Sequence, residues 1–137
     1  MSGRTKILII EDNPLNLELA AGSLEWAGYE PIQALDAETG ICMARSEHPA
    51  MVLMDMALPG MDGISATKLL KSDPQTCCIP IVAVSAHAMT TDEQLAFAAG
   101  CEGYITKPIN VRTFARQISA YLGESPNPPS ARKSECN

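Results

Sequence analysis

The stretch Met51–Asp55 constrains the fold more than any other part of this sequence. Four apolar residues lead into a single carboxylate, Asp55, and Pro/Gly turn residues follow at 58–63. An apolar run of this length, placed between Pro49 and a turn, is typical of a strand buried on both faces of a sheet. Asp55 is therefore predicted at the C-terminal end of a core strand, where an ionised carboxylate requires a compensating partner.

A short apolar run followed by a helical segment occurs five times along the chain. Strands are predicted at 6–10, 29–35, 51–55, 79–85 and 103–106, and the helix after each ends near residue 27, 47, 72, 99 or 122. Asp36, Asp62 and Asn110 are predicted N-caps, whereas the residues leave open whether Asp12 or Asn13 caps the first helix. Repeated strand–helix units require crossover connections. The sequence therefore predicts an α/β fold with a five-stranded parallel sheet and helices on both faces.

The first helical segment carries two apolar stripes. One contains Leu15, Leu19, Gly22 and Trp26, and the other contains Leu17, Ala20, Ala21 and Leu24. Both have helical spacing, so the sequence leaves open which of them faces the core.

Length and composition predict a single globular domain over residues 5–122. The chain has 137 residues, of which 46% are hydrophobic and 19% charged. Residues 123–137 are rich in proline and polar residues and are expected to form a disordered tail. Met1 close to the first strand and this tail favour a whole gene product, and we expect a monomer.

Charge and cysteine content exclude several functional classes. The net charge is −6 and the ten Lys and Arg residues are scattered, which argues against a nucleic-acid surface. No apolar stretch approaches a membrane span. The five cysteines are odd in number and lack zinc-ligand spacing, so we expect buried or inert free thiols and a cytoplasmic protein.

Polar side chains stand at the ends of four predicted strands. These are Glu11 and Asp12, Asp55, Ser85, and Lys107. The carboxyl ends of parallel strands share one edge of a sheet, so these side chains are predicted to converge. Three carboxylates close together raise one another's pKa unless a cation binds, and an all-oxygen set suits Mg²⁺. The residues leave open which of Glu11 and Asp12 ligates the metal directly.

Asp55 has the chemistry of a phosphoryl acceptor. An aspartate is already an anionic nucleophile near neutral pH and needs no general base. Phosphoryl transfer then requires mainly positioning and neutralisation of charge. Mg²⁺, the Lys107 ammonium, and the Ser85 hydroxyl with nearby backbone N–H groups can supply these. Each residue alone also has an ordinary role as a cap, turn or surface residue, and only their joint placement points to function.

Five motifs together resemble the receiver domain of two-component response regulators. They are Glu11-Asp12-Asn13, the apolar run into Asp55 with Leu58-Pro59, Met61-Asp62-Gly63, Val84-Ser85-Ala86, and Lys107-Pro108. The resemblance covers residues 5–122 and implies the flavodoxin-like (βα)5 receiver fold. It implies a single-domain phosphorelay protein that assists its own phosphorylation and dephosphorylation without being a conventional enzyme.

The resemblance also implies roles and partners. Asp55 would take phosphate from a histidine kinase or histidine phosphotransfer protein, and the Met56 carbonyl would join Glu11, Asp12 and Asp55 around Mg²⁺. Ser85 and Tyr104 would act as switch residues, and the Lys107-Pro108 peptide bond would be cis. A downstream protein would bind the face made by the fourth helix, last strand and last helix.

Three other classes share parts of this pattern. An aspartate-nucleophile phosphatase needs a second Asp two residues after the nucleophile, where this chain has Ala57. A flavodoxin-like cofactor binder needs a phosphate loop where Glu11-Asp12 would repel phosphate. A pseudo-receiver that binds partners without phosphorylation is disfavoured by the complete acidic set and Lys107.

Overall fold

The computed structural model describes residues 5–58, 60–86, 90–107 and 109–122. Ten elements alternate along the chain: β1 (Lys6–Ile10), α1 (Pro14–Trp26), β2 (Glu30–Ala34), α2 (Ala37–Glu47), β3 (Met51–Asp55), α3 (Gly63–Ser72), β4 (Ile81–Ser85), α4 (Thr90–Ala99), β5 (Gly103–Thr106) and α5 (Val111–Leu122). The predicted tail at 123–137 and the predicted cis bond at Lys107-Pro108 lie outside the described residues.

All five strands are parallel and lie in the order β2-β1-β3-β4-β5. The predicted fold class is confirmed. Helices α1 and α5 cover one face of the sheet, with Leu24, Phe114 and Ile118 fully buried there. Helices α2, α3 and α4 cover the other face, where Ala44 and Leu70 pack. The core is thus two apolar layers with the sheet between them.

The position of each strand in the sheet matches its sequence. Every residue of β3 and of β4 is buried, as expected of apolar runs covered on both faces. Strand β2 contains Pro31 and only Ala34 is buried in it, and it lies at the edge of the sheet. The weak apolar signal of β2 therefore reflects its edge position.

Helix starts follow the predicted side-chain caps. Asp36 accepts a hydrogen bond from the Thr39 N–H at 2.7 Å, and Asp62 accepts one from the Ser65 N–H at 2.7 Å. For α1 the cap is Asn13, whose side-chain oxygen accepts from two backbone N–H groups of the first turn. Satisfying these N–H groups with a side chain stabilises each helix start by roughly 1 kcal/mol.

The open question about the two stripes of α1 is answered by burial. The buried stripe is the second one, Leu17, Ala20, Ala21 and Leu24. The first stripe faces outward, and its Trp26 side chain is 92% exposed.

The amino edge of the sheet, where the strands begin, is fastened by Lys71 of α3. Its Nζ donates hydrogen bonds to the carbonyl oxygens of Cys77 at 3.1 Å and Ile79 at 2.9 Å. Nearby, Arg45 Nε and Asp73 Oδ2 form an ion pair at 2.6 Å. These contacts hold the loop before β4 against α2 and α3.

The cysteines differ partly from expectation. Cys42, Cys77 and Cys101 are free thiols, as predicted, whereas Cys78 is disulfide-bonded, so the prediction of free thiols is wrong for that residue. Across the described ranges, the helices are all too short or too polar to cross a bilayer.

Candidate functional site

The candidate site lies at the carboxyl edge of the sheet, where β1 and β3 end side by side. The register pairs Ile10 of β1 with Met54 of β3. The next residues are Glu11 and Asp55, so two carboxylates far apart in sequence become neighbours. From β1 the chain continues to β2 on one side, and from β3 it continues to β4 and β5 on the other side. Open α/β sheets bind ligands at such a topological switch point.

Asp55 is 3% exposed, and each of its two carboxylate oxygens has a contact of its own. Oδ1 accepts a hydrogen bond from the Ala57 N–H at 3.1 Å, and Oδ2 lies 3.3 Å from Lys107 Nζ. The start of α3 packs directly behind it, because a Cβ on Gly63 would come within 2.6 Å of the Asp55 carbonyl oxygen. Asp55 is therefore a buried carboxylate fixed by a cation and a backbone dipole.

Lys107 connects three strand ends. Its Nζ lies 2.9 Å from Glu11 Oε1 and 3.3 Å from Asp55 Oδ2, and its backbone N–H donates to the Ser85 carbonyl at 2.6 Å. Burial alone would lower the pKa of Lys107, but the hydrogen bond to Glu11 and the charges of Asp55 and Glu11 raise it above its usual 10.5. The ammonium remains charged over the whole physiological range.

The buried carboxylate of Glu11 has a perturbed pKa. Burial raises its pKa above 4.5, and the charge of Asp55 adds to this, although hydrogen bonds from Lys107 and the Asn13 N–H oppose it. Because Asn13 caps α1, the neighbouring Asp12 side chain is not needed as the cap and stays exposed beside the cluster. The burial of Glu11 disfavours its anion until a further cation is present.

Glu11, Asp12 and Asp55 fit a divalent metal. One carboxylate oxygen of each can be chosen so that all three lie within 4.8 Å of one another. These are hard oxygen donors, two of them buried and one exposed, and a single ammonium lies among them. The set suits Mg²⁺, which binds through few carboxylates and keeps several waters. The exposed Asp12 gives such waters room.

The remaining predicted residues surround this cluster. Ser85 is the last residue of β4 and is buried. Met56 follows Asp55, and its N–H donates to the Val84 carbonyl at 3.0 Å, which extends the β3–β4 pairing past Asp55. Tyr104 lies in β5 opposite Ala83 of β4, two residues before the Ser85–Thr106 pair, and is half-buried against the α2–α4 side of the core.

Three contacts of the site were not predicted from the sequence. They are the ion pair of Lys107 with Glu11 and the backbone N–H groups of Ala57 and Asn13 that donate to Asp55 and Glu11. Backbone donors carry no side-chain signature, because any residue except proline supplies one. The sequence signal for these two donors is that each follows a carboxylate at a strand end by two residues. At this spacing an acidic side chain can accept a hydrogen bond from the backbone and form a turn.

The sequence matches the family described as response regulator receiver domain over residues 7–119. It is 42% identical over 119 residues to the polar-differentiation response regulator DivK of Brucella ovis. That match covers 87% of this chain and 97% of the relative. The DivK protein of Brucella anthropi is 41% identical with the same coverage.

Solved structures show the same fold. The receiver domain of sensor histidine kinase PA1611 from Pseudomonas aeruginosa, with a magnesium ion coordinated in its active site cleft, is 29% identical. It superposes with a TM-score of 0.81, covering 88% of this chain and 98% of that one. A CheY-like receiver domain protein from Methanospirillum hungatei is 27% identical, also with a TM-score of 0.81, and covers 89% of this chain and 96% of that one.

Proposed function

The chain belongs to the response regulator receiver family, and from that premise we propose that it is a single-domain phosphorelay switch that accepts a phosphoryl group on Asp55. The receiver domain spans residues 5–122 in this proposal. The match to the DivK protein of Brucella ovis covers 97% of that relative, which supports a DivK-like role for this receiver domain. It is a signalling protein that assists its own phosphorylation and dephosphorylation.

The observation that carries the proposal is the environment of Asp55. A buried nucleophilic carboxylate lies 3.3 Å from an ammonium and within reach of two further carboxylates. Lys107 neutralises only part of the charge of these three carboxylates, because its ammonium contacts Glu11 and Asp55 and like charges held close together disfavour one another's ionised form. A site that binds a cation and a phosphoryl group accounts for the arrangement.

Each residue has a role in this chemistry. Asp55 is the nucleophile, and Lys107 and the Ser85 hydroxyl stabilise negative charge on the transferred group. The Ala57 N–H, which donates to Asp55 at 3.1 Å, orients the attacking carboxylate. Glu11, Asp12, Asp55 and the Met56 carbonyl hold Mg²⁺, which supplies charge neutralisation at a phosphoryl oxygen when bound. Electrostatic stabilisation of this kind is the main contribution to phosphoryl transfer.

The donor is a phosphohistidine on a histidine kinase or histidine phosphotransfer protein. One carboxylate oxygen of Asp55 attacks phosphorus, an O–P bond forms, and the N–P bond to the donor imidazole breaks. Hydrolysis reverses the modification, since water attacks phosphorus and the Asp55 carboxylate leaves. No redox partner or further cofactor is needed.

The output is a change in protein binding, or onward transfer of the phosphate. Ser85 moves toward the phosphorylated Asp55, Tyr104 changes rotamer, and the face made by α4, β5 and α5 alters. A ligand or modification shifts such an equilibrium only by its differential affinity for the two states. The Lys107-Pro108 bond is cis in this proposal, and the protein acts in the cytoplasm.

The test is intact-protein mass after incubation with acetyl phosphate and with a phosphorylated histidine kinase, with and without Mg²⁺. We expect a Mg²⁺-dependent phosphate adduct, stable in acid and labile in base, that is absent from Asp55→Asn. Asp62→Asn is the matched control, because Asp62 caps α3 outside the carboxylate cluster. A protein that forms no adduct with either donor would instead be a binding module that works without phosphorylation.

A further inference from the structure

The outer stripe of α1 is a continuous apolar surface. Leu15 is 75% exposed, Leu19 47% and Trp26 92%, and Gly22 lies among them. The four positions are separated by four, three and four residues. This is the a/d spacing by which one helix packs along another in a coiled coil. Exposed apolar surface arranged in this way is typical of an interface rather than of scattered surface residues.

The stripe forms the floor of an open groove beside α5. The groove has a volume of about 580 Å³ and extends to Arg112 and Ala115 of α5. At Gly22 a Cβ would meet no atom within 4 Å, so the centre of the groove is open to an approaching helix. A small residue at the centre of a helix–helix contact allows the two backbones to come close.

The two sides of the groove carry opposite charge. Glu18 lies on the side of β2, because it also borders a second groove with Gln33 and Leu35. Arg112 lies on the opposite side, on α5. Neither side chain takes part in an ion pair with another of the residues that the structure describes. The groove is therefore apolar along its floor, acidic at one rim and basic at the other.

This charge arrangement is complementary to itself. When two copies face each other about a twofold axis parallel to α1, left and right exchange, and Glu18 of each copy lies toward Arg112 of the other. A twofold axis perpendicular to α1 would instead place like charges opposite one another, which is unfavourable. Only the parallel arrangement pairs both rims.

We propose that the α1–α5 groove is a self-association interface, in which two copies of this chain pack α1 against α1 in parallel. Leu15, Leu19 and Trp26 form its apolar centre, Gly22 allows the close approach, and two Glu18–Arg112 ion pairs close the rims. A twofold pairing uses the same surface on both copies, as isologous dimers do. In this proposal the protein forms a dimer where the sequence led us to expect a monomer. Formation of the dimer does not depend on phosphorylation of Asp55.

The first test is sedimentation equilibrium from about 1 μM to 1 mM, in roughly 0.15 M salt so that repulsion between two chains of net charge −6 is screened over about 8 Å. We expect the mass to rise with concentration from 14.6 kDa toward twice that value. Trp26 is the only tryptophan, so its emission should shift to shorter wavelength over the same range. Trp26→Gln should stay monomeric, whereas Leu69→Gln, at a 46% exposed position on α3, should associate like the wild type.

The second test exchanges the rim charges. Glu18→Arg and Arg112→Glu should each weaken association by about tenfold, since each replaces two attractive rim contacts by two repulsive ones. The double variant Glu18→Arg/Arg112→Glu restores opposite charges and should return to wild-type association. Recovery in the double variant is expected only when the two positions face each other between copies.

Three results would overturn the proposal. The first is a mass of one chain at every concentration, and the second is a double charge variant that associates no better than the two single variants. The third is a monomer whose Trp26 emission shifts only when a phosphohistidine-bearing helical protein is added, which would assign the groove to that donor.

Discussion

Two lysines with similar burial, Lys107 and Lys71, hold opposite edges of the sheet in different ways. Their side chains are 17% and 20% exposed. At the carboxyl edge, Lys107 contacts the carboxylates of Glu11 and Asp55. At the amino edge, Lys71 donates to two backbone carbonyls and lies 3.8 Å from Glu102.

The difference lies in the partners rather than in the lysines. The two carbonyl oxygens that Lys71 contacts have no charge to lose and no competing ligand, so these two hydrogen bonds are structural. The carboxylates around Lys107 can bind a metal or a phosphoryl group, so its contacts can be exchanged. A buried lysine therefore indicates a functional site when its partners are themselves reactive.

The largest expected effect concerns phosphorylation. Lys107→Ala should slow the formation of the Asp55 phosphate by about 100-fold, because one charge-stabilising donor is lost from the transition state. Lys71→Ala should leave the rate unchanged. The rates are measured by quench-flow with a phosphorylated histidine kinase. Equal slowing in both variants would show that the two lysines do not differ in function.

The next effect concerns stability. Lys71→Met keeps the aliphatic stem but leaves two carbonyls without their donor, and should lower the free energy of unfolding by about 1–3 kcal/mol. Lys107→Met also lowers it, because Glu11 and Asp55 then lie together without a cation. Mg²⁺ stabilises the folded wild type and Lys71→Met alike, so at 10 mM MgCl₂ the difference from wild type should shrink for Lys107→Met but stay for Lys71→Met, as measured by urea unfolding at 0 and 10 mM MgCl₂. Recovery in both variants would contradict the distinction.

The pH dependence of stability should have opposite sign at the two edges. Because burial raises the pKa of Glu11, the metal-free folded state retains a proton that the unfolded chain loses. The free energy of unfolding should therefore fall as pH rises from about 4.5 through the raised value, and Glu11→Gln should abolish this fall.

Asp73 gives the matched comparison. The hydrogen bond from the Gln75 N–H, with that from Arg45, lowers the pKa of Asp73 below 3.8. The stabilisation that Asp73 contributes to the folded state is fully present above pH 3.8 and is lost as pH falls through the lowered pKa. Asp73→Asn should remove this acid loss and leave the window of Glu11 unchanged. The measurement is urea unfolding in EDTA between pH 3 and pH 7, and a wild-type curve that rises throughout this range would contradict the prediction for Glu11.

The smallest effect concerns the lifetime of the phosphate. Ala57 is exposed two residues after Asp55 and has no polar side chain to orient an attacking water. Ala57→Asn should shorten the lifetime of the phosphate a few-fold, as followed by loss of the adduct mass, because an amide there can position that water. Ala50→Asn, at an exposed position just before the other end of β3, serves as the control. An unchanged lifetime in Ala57→Asn would show that water is not positioned from this side.

Structural features that depend on side-chain type could be predicted from the sequence. Features that depend on how the elements pack together could not. Asp55 at the end of an apolar run and Asp62 before a helix have local signatures, so their positions followed directly. Both stripes of α1 have helical spacing, and only the contacts of α1 with the sheet decide that Leu24 is buried and Trp26 exposed. The ion pair of Lys107 with Glu11 also depends on strand order, because these residues follow β5 and β1, two strands that β3 and β4 separate in the folded sheet.

The pairing of β1 with β3 also has a kinetic consequence. Glu11 and Asp55 become neighbours only when Ile10 pairs with Met54, and this contact spans 44 residues of chain including all of β2 and α2. Forming this long-range pair brings two negative charges together, so its energy depends on divalent cations. If the pair is formed in the folding transition state, Mg²⁺ accelerates folding, and if it forms later, Mg²⁺ slows only unfolding. The effect of Mg²⁺ on the two rates would thus report when the two halves of the sheet meet.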